Sequence, residues 1–281
     1  MQIGARLFEG PGPFLMGVVN VTPDSFSDGG RYLDPTQAVE QAERLAGEGA
    51  DLVDLGGEST RPGAAPVDAE EERRRVVPVI ERLRARGFRL PISIDTSKAS
   101  VARAALEAGA DLVNDVSALI DPALATVVAR AGTPIVVMHS RGTPADMASR
   151  AGYVDLLSEV AAELRAALAR AAIWGIPAER IILDPGLGFA KTPAQTVELL
   201  ARVAELKALG RPLLVGPSRK RFIGELTGAP IESRLPGTLA AVTACVLAGV
   251  ELIRVHDVAA ARQASQVAQA LRSAGGSPLL R

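Results

Sequence analysis

Short apolar runs, each four to eight residues long and bounded by Gly, Pro or Asp, recur along the chain at residues 14–21, 51–57, 91–96, 112–117, 134–140, 181–186, 212–218 and 251–257. Runs of this length and β-rich composition predict strands buried on both faces, as in a parallel sheet. Between them lie Ala-, Leu-, Glu- and Arg-rich segments with helical spacing, near 35–47, 68–86, 98–108, 121–130, 153–174, 192–208, 236–248 and 258–273. Eight strands alternating with eight helices over about 260 residues is the count of a (β/α)8 TIM barrel, fold class α/β. A repeated unit supports it: Gly49-Ala50-Asp51-Leu52-Val53-Asp54, Gly109-Ala110-Asp111-Leu112-Val113-Asn114 and Gly249-Val250-Glu251-Leu252-Ile253-Arg254 each end a helix on Gly and enter a strand. An open doubly wound sheet is the structural alternative, but no Gly-rich dinucleotide fingerprint follows any strand.

Without a linker the chain reads as one domain over 1–281. It comprises an N-terminal extension at 1–13, the eight strands within 14–257, a last helix at 258–273 and a tail at 274–281. With 48% hydrophobic and 22% charged residues it can bury a large core. Its net charge of -1 provides no basic field for nucleic acid or anionic lipid. Cys245 has no disulfide partner, and with His139 and His256 as the other soft ligands a structural zinc site is excluded. That usage fits a reducing cytoplasm. The N-terminal residues lack a signal peptide's apolar core, and the weakly apolar stretch at 238–250 is too short to span a bilayer, so a soluble cytoplasmic protein is expected.

Scarce residue types collect on or at the ends of the predicted strands. Asn20 ends the first, Asn114 lies on the fourth, His139 and His256 end the fifth and eighth, and Lys220 follows the seventh. Asp54, Asp95, Asp115, Asp184, Arg254 and Asp257 join the same rim. In a barrel the carboxyl ends of the strands carry the active site, and residues two apart on a strand, such as Arg254 and His256, face the same side.

These positions fall in segments that resemble a known family. Met16-Gly17-Val18-Val19-Asn20-Val21-Thr22-Pro23-Asp24-Ser25-Phe26-Ser27-Asp28-Gly29-Gly30 and Asp54-Leu55-Gly56-Gly57-Glu58-Ser59-Thr60-Arg61-Pro62-Gly63 are similar to the first two signatures of the dihydropteroate synthase family of pterin-binding enzymes. Ile94-Asp95-Thr96-Ser97-Lys98, Asn114-Asp115-Val116-Ser117, Val137-Met138-His139, Asp184-Pro185-Gly186, Ser218-Arg219-Lys220 and Arg254-Val255-His256-Asp257 follow in order, so the resemblance spans residues 14–257. It implies a single barrel that joins 6-hydroxymethyl-7,8-dihydropterin diphosphate to 4-aminobenzoate and releases diphosphate. It also implies Mg²⁺, a homodimer, and sulfonamides as competitors of the aminobenzoate.

Chemistry and resemblance assign the rim together. A reduced pterin presents an amino group beside a ring N–H, and a carboxylate accepts both. Asp184 is the candidate for that edge, although a turn Asp before Pro185 is the plainer alternative. Asp95, Asn114, Met138, Lys220 and Arg254 complete the implied pterin set. For diphosphate the resemblance implies Asn20, Thr60, Arg254 and His256, with Asn20 as the Mg²⁺ ligand. The alternatives for Arg254 and His256 are an ion pair with a rim Asp and a core imidazole. The implied 4-aminobenzoate contacts are Phe26, Thr60, Arg61, Pro62, Phe189 and Ser218, several of them on the loops 22–34 and 58–67. Arg221 stands where the resemblance implies a smaller Ser.

The implied catalytic set is Asn20, Lys220, Arg254 and His256. An arylamine is neutral at pH 7 and needs no strong base, and no Ser-His-Asp or Cys-His arrangement is evident; an SN1-like substitution is expected. Two other readings differ in class: a methyltetrahydrofolate-binding methyltransferase module and a noncatalytic pterin-binding protein. Neither calls for the diphosphate residues. Leu239, Val242, Val246 and Leu247 make the helix at 236–248 apolar on more than one face, which predicts packing against a second subunit.

Overall fold

A computed structural model describes residues 1–10, 12–22, 35–59 and 63–275. Strands β3 (Phe14–Asn20), β4 (Leu52–Gly56), β5 (Ile92–Asp95), β6 (Leu112–Asp115), β7 (Ile135–Met138), β8 (Ile181–Asp184), β9 (Leu214–Val215) and β10 (Leu252–Val255) form one parallel sheet in the order β8-β7-β6-β5-β4-β3-β10-β9. A parallel bridge between Leu183 and Leu213, with Leu183 N–H donating to the Pro212 carbonyl at 2.9 Å, joins the two ends. The result is a closed barrel ringed by α1 (Pro35–Gly47), α2 (Ala69–Ala85), α3 (Ala99–Glu107), α4 (Pro122–Ala131), α5 (Leu156–Ile173), α6 (Pro193–Ala201), α7 (Arg221–Thr227), α8 (Leu235–Leu247) and α9 (Val258–Gly275). Local chemistry starts several of these helices: Asp68, Asp121 and Asp155 accept from Glu71, Ala123 and Ser158 N–H groups, and Thr192 with Gln195 forms a capping box.

All eight predicted strands are present, and three segments depart from expectation. The predicted helix at 192–208 is α6 followed by a 3₁₀ segment at Val203–Leu209. The seventh strand has two residues, because Gly216 and Pro217 follow at once and proline offers no ladder donor. The helix α7 was not expected: it is seven residues long and contains Gly224, too short for a helical period to stand out.

The pleat builds the interior in storeys. Met16, Leu52, Leu112, Val136, Ile182, Leu214 and Leu252 form one buried apolar layer across the lumen, while their chain neighbours Leu15, Val53, Val113, Ile135, Ile181, Val215 and Ile253 pack outward against the helices. The N-terminal extension closes the layer from below. Its antiparallel hairpin, β1 (Gln2–Ile3) with β2 (Arg6–Leu7), inserts Ile3, and Phe8 follows into the same cluster with its N–H donating to the Met1 carbonyl at 2.8 Å. Ile3→Ala should therefore cost about 2–5 kcal/mol, as a large-to-small change in a filled core. The measurement is thermal unfolding with activity per folded molecule in parallel; an unchanged melting temperature rejects the hairpin as part of the core.

Candidate active site

Two residues above the apolar layer, five of the eight strand faces are polar. Leu52 is followed by Asp54, Ser93 by Asp95, Leu112 by Asn114, Ile182 by Asp184 and Leu252 by Arg254; Val136 is followed by Met138. Asp54, Asp95, Asn114, Met138 and Asp184 are all buried, and Arg254 is half-buried. Alternation by two carries each side chain into the lumen, and the strand ends hold it there.

Arg254 ties this storey together. Its Nε donates to Asp54 Oδ2 at 2.6 Å and its Nη2 to Asp95 Oδ2 at 2.9 Å, while Asn114 Nδ2 donates to the same Asp54 oxygen at 3.1 Å. Against burial, which opposes its charge, Asp54 and Asp95 hold the guanidinium above its ordinary value. Burial pushes Asp95 up to about 7; Arg254 opposes the shift, and Asp54 and Glu72 add to it. Asp54 Oδ1 and Asp95 Oδ1 are buried acceptors that no described protein group satisfies. The alternative of an ion pair for Arg254 is therefore what the structure contains, yet two bonds occupy only part of a five-donor fork.

Asp184 accepts the Gly186 N–H through Oδ1 at 2.7 Å. Burial raises its pKa to about 6, with that N–H, Lys220 and Arg254 opposing. Asp184 is thus a turn residue, as its position before Pro185 allowed, and also a buried carboxylate with a second oxygen. The Lys220 ammonium sits 4.5 Å from the Phe189 ring centroid, a cation–π contact that brings two predicted site residues together. Ser218 Oγ lies 2.9 Å from His256 Nδ1, so His256 is a hydrogen-bonded rim residue and not a core imidazole. Arg219, beside them, makes a two-point pair with Asp257 at 3.0 and 2.7 Å. Asn20 ends β3, half-buried. Phe26, Thr60, Arg61 and Pro62 lie outside the described residues.

Asp54 was named only as a rim residue by the sequence, yet it is the hub that Arg254 and Asn114 share. Its signal was available in the two-residue step from Leu52. Lys191 was missed altogether. Its buried ammonium touches His139 behind the Asp184 loop, and the available signal was that only four of 31 basic residues are Lys.

The helix at 236–248 is covered in part by the chain itself, with Leu239 and Leu247 left half-buried. In α8, Thr238, Ala241, Val242, Cys245 and Val246 are buried by the chain's own fold, with α9 as its main helical neighbour, so its apolar breadth does not by itself call for a second subunit.

The family of pterin binding enzymes matches this chain over residues 16–256. A dihydropteroate synthase of Synechocystis is 46% identical over 274 residues, covering 96% of this chain and 94% of that protein. Among solved structures, Yersinia pestis dihydropteroate synthase in complex with a sulfonamide drug superposes with a TM-score of 0.92 at 41% identity, covering 97% of this chain and 99% of that one. Dihydropteroate synthase from Xanthomonas albilineans in complex with 7,8-dihydropteroate gives a TM-score of 0.84 at 47% identity, over 93% and 94% of the two chains. Synthases matched over nearly their whole length do not favour the methyltransferase alternative. The chain belongs to the pterin-binding enzyme family and is one of its dihydropteroate synthases.

Proposed function

We propose that the polar storey of the barrel is the site at which a dihydropterin methyl diphosphate is joined to 4-aminobenzoate. The observation that carries this reading is the set of acceptors around Arg254: Asp54, Asp95 and Asp184 are buried carboxylates, and Oδ1 of both Asp54 and Asp95 lacks a protein partner among the described residues. Burying carboxylates costs free energy unless donors reach them, and the donor edge of a reduced pterin is the ligand that supplies those donors. In this reading Asp184, Asp95 and Asn114 hold the pterin edge, Met138 packs against the ring and Lys220 donates to the pterin carbonyl. Phe189 and Ser218 line the outer side where the aminobenzoate sits, with Phe26, Thr60, Arg61 and Pro62 assigned by resemblance. Sulfonamides compete there, a proposal supported by the sulfonamide bound to the Yersinia relative.

The C–O bond between methylene and diphosphate breaks with its electron pair leaving on oxygen, and the dihydropterin ring delocalises the resulting cation. Arg254 and His256 meet the developing negative charge, the interaction that strengthens along this coordinate. The arylamine nitrogen then bonds to the methylene carbon and loses its proton to solvent.

For Mg²⁺ the donor chemistry fits a shared site. No group of three or more His, Cys, Asp or Glu side chains among the described residues could hold an ion, whereas Asn20 offers one neutral oxygen at the rim. A hard ion that keeps waters and borrows phosphate oxygens suits that sparse set. When bound, it supplies charge neutralisation to the diphosphate.

The test is diphosphate release from the pterin diphosphate with and without 4-aminobenzoate. Stoichiometric formation of dihydropteroate and diphosphate is expected; no product from the folded protein rejects the assignment. Assembly is a separate proposal. Val267 on α9 is 62% exposed and Leu271 50%, an apolar edge beside α8 that supports a homodimer. Sedimentation at micromolar concentration should give twice the chain mass, and a monomer would overturn it. With its single Cys buried, the enzyme is assigned to the cytoplasm. Among the described residues no helix is long and apolar enough to cross a membrane.

A further inference from the structure

Behind the loop that joins β8 to α6 lies a buried ammonium that the reaction as described does not use. Lys191 Nζ donates to the Gly186 carbonyl at 3.1 Å and the Phe189 carbonyl at 3.0 Å, and lies 2.8 Å from His139 Nδ1. Three donors thus meet three acceptors. That geometry leaves the His139 proton on Nε2, which lies 3.0 Å from Glu163 Oε2. Arg141 holds the same Glu163 from the other side through its Nε at 2.9 Å, and its guanidinium stacks 3.9 Å over the Tyr153 ring. Tyr153 in turn donates to the Ala190 carbonyl at 3.0 Å.

The carbonyls that Lys191 and Tyr153 grip, those of Gly186, Phe189 and Ala190, belong to one loop. Gly186 has a φ of +68°, and a Cβ there would meet the His139 carbonyl oxygen at 2.0 Å, so the loop lies hard against the end of β7. Ala190 is held at φ +48°, a conformation a non-glycine residue keeps only when its surroundings fix it. The same Gly186 whose carbonyl accepts from Lys191 gives its N–H to Asp184, and the same Phe189 whose carbonyl accepts from Lys191 carries the ring beside Lys220.

We propose that Lys191 is a positioning residue for the pterin site: through the Gly186 and Phe189 carbonyls, and backed by His139 and Glu163, it sets where the Asp184 carboxylate and the Phe189 ring stand. The inference rests on the assignment of Asp184 to the pterin. Burial is the main cause that pulls this ammonium down to about 7; Asp184 and Glu163 work the other way, and Arg141 and Lys220 add to the fall. A neutral apolar side chain would avoid that cost at this position, which is why a role for the charge is the better account. Lys191 also helps Gly186 N–H, Lys220 and Arg254 keep Asp184 ionised.

The test compares Lys191→Met with Asp184→Asn, reading the affinity for 6-hydroxymethyl-7,8-dihydropterin and, separately, for inorganic diphosphate with Mg²⁺. Lys191→Met should weaken pterin binding about tenfold, leave diphosphate binding within about twofold, and move the acid limb of pterin binding to higher pH. A merely structural role would leave that limb where it is. If Asp184→Asn weakens the pterin and a folded Lys191→Met does not, the inference fails while the site assignment stands. If neither variant changes pterin affinity, the site assignment fails and takes the inference with it. Should Lys191→Met not fold, Glu163→Gln decides: about a threefold loss of pterin affinity at constant diphosphate affinity supports the relay, and no change overturns it.

Discussion

Asp184→Asn weakens pterin binding about ten- to hundredfold and leaves the fold intact. The carboxylate gives one oxygen to the Gly186 N–H. An amide keeps that acceptor by placing its carbonyl there, which turns its NH₂ toward a ligand edge that already consists of donors. Losing a charge-assisted bond and facing two donors toward each other costs about 1.5–3 kcal/mol. The pH dependence has a definite sign. Asp184 titrates at about 6, because burial raises it from 3.8. The parent therefore loses pterin affinity as pH falls through 6, about tenfold per unit once the acid is protonated, and the Asn variant lacks that limb. Stability runs the opposite way. Between about 4 and 6 the folded state binds the proton that the unfolded chain releases, so stability falls as pH rises through this window. The Asn variant consequently melts no lower than the parent at pH 8. Calorimetric titration of the pterin at pH 5 and 8, with melting curves alongside, checks both halves; parental affinity in a folded variant removes Asp184 from the pocket.

Arg254→Ala lowers turnover at least about a hundredfold, the scale seen when a donor to a developing anion is removed. It also destabilises the protein. Arg254 bridges Asp54 and Asp95, at 2.6 and 2.9 Å, and both carboxylates are buried. Removing one partner of a buried pair leaves uncompensated charge and costs about 3–5 kcal/mol. At about 2–4 °C per kcal/mol for a chain of this size, the melting temperature falls by about 10 °C. Asp95 already titrates at about 7 with Arg254 opposing the rise. Without the guanidinium the acid stays protonated to higher pH, so the deficit in stability is smaller at pH 6 than at pH 8. Diphosphate release and thermal unfolding at those two pH values decide the matter. Release at the parental rate would place the leaving group elsewhere.

The barrel and the floor of its site were legible because both follow from local rules. A strand alternates its side chains whatever it pairs with, so spacing alone puts Leu52 with Asp54, Leu112 with Asn114, and Leu252 with Arg254 on a shared face. In the three repeated units, Gly at the end of the helix and Asp or Glu at the start of the next strand placed β4, β6 and β10 to within a residue or two. Where the period is short or interrupted the reading stopped: α7 carries a glycine within seven residues, and the two-residue strand β9 is cut off by Gly216 and Pro217.

Only the tertiary structure decided who meets whom. Asp54 and Arg254 are 200 positions apart, and Asp95 and Arg254 are 159 apart; they touch because closure brings β10 beside β3 and faces it across the lumen toward β4 and β5. The pattern marked Arg254 as inward and could not say whether it would meet an anion or a carboxylate of its own chain. It marked residues 1–13 as an extension, whereas the open lower end of the barrel made their hairpin a plug. It marked 236–248 as too apolar for solvent, whereas α9 supplied much of the cover. Lys191 and His139, 52 positions apart, form a buried polar pair that has no period at all. Periodicity reports the direction in which a side chain leaves the backbone; the register and closure of the sheet determine what it finds there.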